Sequence, residues 1–345
     1  MASADWRLPA EWERQDGVLL AWPHPATDWS DRLASVESTY ATLAAAITRF
    51  ETAIICVPDA TVRDRARSML PTCPPERLRF VTVEYDDTWL RDSGPLTLAG
   101  LSGFRLLDFR FTGWGGKFDA RRDDELVANL MARGLFRNAE RRRVDFALEG
   151  GAIESDGQGT LLTTWTCLNR RHPRLSRADL DARLLKEFNA NRVLWLEHGE
   201  IEGDDTDAHV DTLARFAPDD AIVYQSCGDV SDRHHADLSA MADELADLRT
   251  ASGSAYRLFP LPWPRGIIDD GRRLPASYAN YLVLNDAVVM PAYGNGVDDH
   301  AAEVLAAAHP RREIVPVDAR SLIWQNGSVH CVTMQLPEGV LARAA

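Results

Sequence analysis

The sequence predicts an α/β fold in which a β-β-α-β unit recurs five times around a common axis, within a single domain covering residues 1–345. Three observations predict it. Apolar residues switch repeatedly between two-residue spacing and three- or four-residue spacing. The switch recurs every ~60–70 residues, a period that marks a repeat architecture. No linker rich in Pro, Gly or Ser divides the chain, which favours one closed body over two separate ones.

The elements follow in order. Val18–Trp22 is a short apolar run ended by Pro23 and is expected as a strand. Between Asp31 and Phe50, Leu33, Val36, Tyr40, Leu43, Ile47 and Phe50 trace one face of a helix. Ala53–Val57 is a strand, Thr61–Leu70 a helix and Leu78–Glu84 a strand. Four hairpin units come next. Pro95–Leu98 and Phe104–Phe109 lead to a helix near Asp123–Ala132 and a strand at Val144–Leu148. Ala152–Glu154 and Thr160–Thr164 lead to helix Arg177–Phe188 and strand Arg192–Leu196. Val210–Phe216 and Ala221–Gln225 lead to helix Asp232–Leu248 and strand Ala255–Leu258. Ala279–Leu284 and Val288–Met290 lead to helix Asp299–Ala308 and strand Glu313–Val317. The last strand, Val332–Gln335, is expected to pair with Val18–Trp22 and so complete the fifth unit.

Composition narrows the function. The chain is 45% hydrophobic and 26% charged, enough apolar material for a large core. A net charge of −14 argues against nucleic acid and suits a small cationic partner. The five cysteines (Cys56, Cys73, Cys167, Cys227 and Cys331) are odd in number and far apart, which disfavours a disulfide framework or a zinc site and fits a reducing cytoplasm. The N-terminal residues lack the basic and apolar regions of a signal peptide, and no window is long enough to span a membrane. A homo-oligomer is compatible with all of this. The Gly-rich loop Phe111–Lys117 lacks the strand-to-helix context of a phosphate loop, so nucleotide binding is not expected.

The polar residues of interest fall at one place in successive units, just before the first strand of each hairpin: Asp92, Glu149, His209 with Asp211, and Cys331. If the units are rotated copies, these positions converge. In an extended stretch His209 and Asp211 would project to one face. Glu149 precedes two glycines that allow close backbone approach. Carboxylates around a thiol would raise its pKa, which suits a nucleophile only if the substrate itself brings positive charge. A planar guanidinium fits, because two carboxylates such as Asp92 and Asp211 can grip its fork of N–H donors. A metallohydrolase built on His209, Asp211, His234 and His235 is the competing chemistry, and a ring-shaped binding protein without catalysis is the competing non-enzymatic one.

The chain resembles the agmatine deiminase and bacterial-type peptidyl-arginine deiminase family of the guanidine-modifying superfamily. The resemblance rests on Leu8-Pro9-Ala10-Glu11-Trp12-Glu13, Trp89-Leu90-Arg91-Asp92-Ser93-Gly94-Pro95, Leu148-Glu149-Gly150-Gly151, Gly203 through Asp211, and Asn326-Gly327-Ser328-Val329-His330-Cys331. It implies a five-bladed α/β-propeller (pentein) and hydrolysis of agmatine to N-carbamoylputrescine and ammonia without metal or cofactor. It also implies Cys331 as nucleophile, His209 as acid and base, Glu149 as its orienting partner, and Asp92 and Asp211 on the guanidinium. A peptidyl-arginine deiminase or an amidinotransferase would use similar parts. The chain departs from many relatives in reading Asp207-Ala208 before His209, where they have Asn-Gly, and Trp324-Gln325-Asn326 where they have three glycines. The far end of the substrate is expected to meet Trp89, Trp114, Glu202, Asp204 or Asp205.

Overall fold

Residues 6–343 are described by a computed structural model. β1 (Gln15–Ala21), β2 (Thr52–Val57) and β3 (Leu78–Thr82) lie parallel. After them an antiparallel hairpin followed by a parallel strand occurs four times. The first set is β4 (Leu96–Gly100), β5 (Gly103–Arg110) and β6 (Ala139–Ala147). The second is β7 (Glu154–Ser155), β8 (Thr160–Thr164) and β9 (Arg192–Leu196), and the third is β10 (Ala214–Ala217), β11 (Ala221–Gln225) and β12 (Arg257–Leu261). A separate hairpin of β13 (Ile267–Asp269) and β14 (Arg272–Leu274) intervenes before β15 (Leu282–Val283), β16 (Ala287–Ala292) and β17 (Glu313–Asp318). β18 (Thr333–Pro337) then pairs antiparallel with β1, Thr333 opposite Leu20, so the two ends of the chain give the first sheet the same pattern.

Parallel neighbours need a crossover, and each crossover carries a helix. Leu33–Thr48, Leu126–Ala132, Arg177–Phe188, His235–Asp247 and Asp298–Ala308 serve the five sheets in turn. The third of these shows why its ends fall where they do. Ser176 and Asp179 form a capping box at its start, and Asn189 takes a left-handed φ of 51° at its end. Its buried Leu180, Leu184 and Phe188 repeat at four-residue steps, which is what fixes the face it presents.

The first sheet separates two cores. Val18 and Leu20 pack with Ala53, Ile55 and Val57 on one side. Leu19 and Ala21 pack with Ile54 and Cys56 on the other. Both faces are covered, so these strands are continuously apolar and show no polar alternation.

Several regions differ from the sequence expectation, among them the expected strands Ala152–Glu154 and Ala279–Leu284, of which the structure forms only Glu154–Ser155 and Leu282–Val283. The segment Val210–Phe216 is not one strand: Val210–Thr212 is a short 3-10 turn, and the strand begins at Ala214. The helix Trp165–Arg171 and the β13–β14 hairpin were not expected, because each is too short to show a period. Among the described residues no helix is long and apolar enough to cross a membrane.

Candidate active site

Each hairpin is entered through a tight turn, and those turns meet. Asp92 lies in the helical turn Leu90–Ser93, Glu149 caps the turn Gly150–Ala152, Asp211 lies in Val210–Thr212 and Cys331 in the turn ahead of β18. The backbone N–H of Arg91 donates to the carbonyl of Cys331 at 3.1 Å, which ties the first of these turns to the last. His209 and Asp211 reach the same place by turning, where strand alternation had been expected. Asp207 and Ala208 precede them with φ of 70° and 66°, and Lys117, Arg170 and Arg171 all pair with Asp207 to hold that left-handed kink. Alanine is poorly suited to such a φ.

Gly151 marks the centre. A Cβ built there would lie 2.7 Å from His209 Nδ1, 2.9 Å from an Asp92 oxygen and 3.0 Å from an Asp211 oxygen, so only glycine lets the three groups approach. Its N–H donates to Asp92 Oδ1 at 2.9 Å. The other Asp92 oxygen accepts from the Trp114 indole at 2.9 Å. Trp114 is aimed by a backbone of its own making: it takes φ 55° within Gly113–Gly116, where the glycines also have positive φ.

His209 is fully buried between two carboxylates, with Nε2 3.3 Å from Glu149 and Nδ1 3.6 Å from Asp92. Burial alone would lower its pKa, but Asp92, Cys167 and Glu149 raise it well above the ordinary histidine value. Its Nδ1 makes no hydrogen bond. Glu149 is gripped by Arg171 Nε at 2.8 and 3.0 Å. Burial opposes its charge, yet His209 and Arg171 keep its carboxyl below the usual range. Asp92 has no arginine across it, and burial outweighs the charge of the nearby His209 to push it up to about 6.

Cys331 is buried, with Asn280 Nδ2 3.1 Å and Asp211 3.7 Å from its sulfur. Burial, then the charges of Asp211 and Asp92, push the thiol well above its ordinary pKa. Asn280 Oδ1 also accepts from the N–H groups of His330 and Cys331 at 3.0 and 3.2 Å, fixing the turn. Asp211 receives His330 Nδ1 at 2.7 Å, while its Oδ1 is buried without a partner. Burial would raise Asp211, but the His330 hydrogen bond together with the charges of His330, His209 and Arg215 holds it below its ordinary value.

Cys331 and Asp92 line a cavity of about 300 Å³, together with Trp89, Trp114, Asp87, Asp205, Trp324 and Asn326 among others. Trp89 packs so tightly on Gly327 that a Cβ there would sit 2.1 Å from the indole. Of the expected tail residues, Trp89, Trp114 and Asp205 face this cavity. Asp204 does not: its oxygens accept from Thr206 N and Oγ1 and from Ala208 N, building the kink before His209. Glu202 pairs with Arg233 and does not line the cavity. The alternative metal set is not assembled, since His234 is held by Asp232 and the Glu202 N–H and His235 by the Cys227 carbonyl. Arg91 pairs with Glu11, not with neighbouring Asp92.

Two site residues were missed in the sequence. Asn280 precedes β15 at the position that Asp92, Glu149, Asp211 and Cys331 hold in their own units, so the repeat itself was the available signal. Arg171 lies on the unrecognised seven-residue helix, and nothing in its local sequence marks it.

A chain with this site and this strand pattern is a member of a guanidine-deiminating class. The model of the Porphyromonas-type peptidyl-arginine deiminases matches residues 7–337, and the chain belongs to that family. The agmatine deiminase of Stutzerimonas stutzeri is 33% identical over 96% of this chain and 95% of its own. A Porphyromonas gingivalis structure assigned to an arginine deiminase is 43% identical, with a TM-score of 0.91 over 98% of this chain and 100% of that one. A substrate-bound Cys-to-Ser variant of the C. jejuni agmatine deiminase is 31% identical, also at a TM-score of 0.91, over 98% of each chain.

Proposed function

We propose that this protein hydrolyses agmatine to N-carbamoylputrescine and ammonia through a covalent intermediate on Cys331. We read the chain as one catalytic domain whose five sheets close as a five-bladed α/β-propeller, the pentein fold of its agmatine deiminase neighbours. The pairing of β18 with β1 supports closure. The observation that carries the chemistry is the crowding of His209, Asp92 and Asp211 around Gly151, beside the Cys331 thiol.

In this reading the guanidinium enters between Asp92 and the free Oδ1 of Asp211, which accept its N–H donors. Its charge offsets the carboxylates that hold the thiol protonated, so the thiol gives up its proton to solvent in the cavity and the resulting thiolate attacks the guanidinium carbon. The carbon becomes tetrahedral, with the C=N electron pair moved onto nitrogen. His209, kept protonated by Asp92 and Glu149, gives its proton to the departing ammonia, leaving an S-alkylthiouronium. The now neutral His209 takes one proton from water, whose oxygen attacks the same carbon; the C–S bond then breaks and the sulfur takes up the remaining hydroxyl proton, giving the ureido product and the starting thiol. Such proton transfers are worth ~10² to 10⁴ in rate. Glu149, anchored by Arg171, orients His209. No step calls on a metal or an organic cofactor.

The tail reading rests on charge. Asp28, Asp87 and Asp205 line the cavity, and its one arginine, Arg272, is engaged by Asn326 Oδ1 and the Trp324 carbonyl. That surrounding suits the second cation of agmatine better than a carboxylate. Relatives described as agmatine deiminases, full-length over this chain, agree with it. Arginine or peptidyl-arginine is the second reading, favoured by the 43% identity to the P. gingivalis chain. Purified protein supplied with agmatine, arginine or a blocked arginyl peptide decides between them. Ureido product from agmatine alone, lost in Cys331→Ala, is expected, whereas preferential turnover of the peptide would overturn the agmatine assignment.

A further inference from the structure

Behind Asp211 the site continues to a second group of charges that the reaction above does not use. His330 stands between two carboxylates, with Nδ1 2.7 Å from Asp211 Oδ2 and Nε2 2.8 Å from Glu11 Oε1. A nitrogen lone pair facing a carboxylate at either distance would be repulsive, so a ring protonated on both nitrogens satisfies both contacts. Arg215 Nη2 lies 3.0 Å from the same Nε2 and also pairs with Glu11. An arginine only donates, so Nε2 has two available states. It either gives a proton to Glu11 or, having lost it, accepts an N–H from Arg215. Arg91, Glu154, Gln335 and the adjacent Cys331 complete the surroundings. His330 is fully buried, but the Glu11 side chain is 21% exposed and lines a separate cavity with Leu8, Pro9 and Pro337.

We propose that His330 and Glu11 form a cation-for-proton exchanger, in which entry of the substrate guanidinium against Asp211 expels the His330 Nε2 proton through Glu11 to solvent. This rests on the guanidinium reading of the site. The incoming cation satisfies Asp211 and repels the charged ring. The Nε2–H bond breaks, the proton passes to Glu11 Oε1 and then to water at its exposed edge, and Arg215 supplies the donor that Nε2 has lost. The electron pair stays on nitrogen and the site's charge is unchanged. Burial, Arg215 and Arg91 already pull the His330 pKa below its ordinary value, with only Glu11 and Asp211 opposing them, so this proton is loosely held. By reciprocity, substrate should bind less tightly as pH falls. His330 and Glu11 are thus positioning residues for Asp211 and set the charge it presents.

The test is agmatine binding to Cys331→Ala, which cannot release a thiol proton, by calorimetry near pH 5.5 in buffers of different ionisation enthalpy, where a histidine still carries charge. Proton release is expected from both His330 and Asp92, whose carboxyl also carries a proton at this pH, and Glu11→Gln in the same background should bind agmatine while lowering the count by the His330 share, because the Gln amide donates to Nε2 and leaves that nitrogen no proton to expel. Equal counts in both proteins would overturn the exchanger and leave the substrate reading intact. Absence of agmatine binding, with no turnover by the wild type, would defeat the substrate reading and the exchanger with it. Should Glu11→Gln not fold, ¹⁵N-histidine spectra of Cys331→Ala decide alone: a His330 shift from imidazolium to neutral on adding agmatine supports the exchange, and an unchanged ring contradicts it.

Discussion

Glu149 and Asp92 are both carboxylates, both buried, and both neighbours of His209, yet they are held in opposite ways. Glu149 has Arg171 across it as well as His209 and is kept ionised; Asp92 has two neutral N–H donors and shares only His209, and burial carries its pKa up to about 6. The first carboxylate is therefore committed to the protein, and the second is left for a cation that arrives. Position in the repeat brings the two together, and the partner behind each determines what it can do.

The largest effect should come from breaking the committed side. Glu149→Gln leaves the buried Arg171 with Asp207 as its remaining carboxylate partner, so the stability cost should fall below the ~3–5 kcal/mol of a buried charge left wholly unpaired. Activity should fall ~10²- to 10⁴-fold, and thermal unfolding should show the accompanying loss. Next, Gly151→Ala puts a methyl among His209, Asp92 and Asp211. With the backbone φ ordinary there, kcat/KM should drop ~10²-fold from misplacement of these groups, as steady-state assays would read directly.

Asp92→Asn sharpens the contrast through pH. The folded enzyme holds the extra proton on Asp92 between about pH 3.9, the value in an unfolded chain, and about pH 6. Because the folded pKa is the higher one, the stability it contributes is present at low pH and lost as pH rises through that window. The melting temperature of Asp92→Asn should therefore gain on the wild type between pH 4 and pH 7, while agmatine turnover collapses. A Glu149→Gln protein should show no such gain. The smallest effect concerns the kink that delivers His209. Ala208→Gly removes a Cβ from a left-handed residue and should stabilise the fold by about 1 kcal/mol, measured by denaturant unfolding, with little change in rate.

Much of this was legible in the sequence because the repeat is written in hydrophobic period. Helix Arg177–Phe188 and strands Arg192–Leu196 and Ala221–Gln225 fall where that period puts them. Convergence of Asp92, Glu149, His209, Asp211 and Cys331 followed from their common place before each hairpin. The local route was less legible: His209 and Asp211 look like an alternating strand, but two left-handed residues, stabilised by three distant cations, turn them inward. Asp204 looked like a substrate ligand and is spent on that same kink. Arg171 was invisible because a seven-residue helix carries too little pattern, and its value to Glu149 is a tertiary fact. Asn280 was hidden for a different reason: it is neutral, and a search for titratable groups passes over an amide that holds the nucleophile by three hydrogen bonds.

The central claim is that the site keeps its thiol protonated until a guanidinium fills the space between Asp92 and Asp211. The direct measurement is the rate of Cys331 alkylation by iodoacetamide against pH, followed by mass spectrometry, in the empty enzyme. Reaction that stays slow at neutral pH and rises only well into the alkaline range is the predicted result, since burial and two carboxylates oppose the thiolate. A plateau already reached at pH 7 without ligand would mean that the nucleophile is ionised before substrate arrives, and would contradict the account.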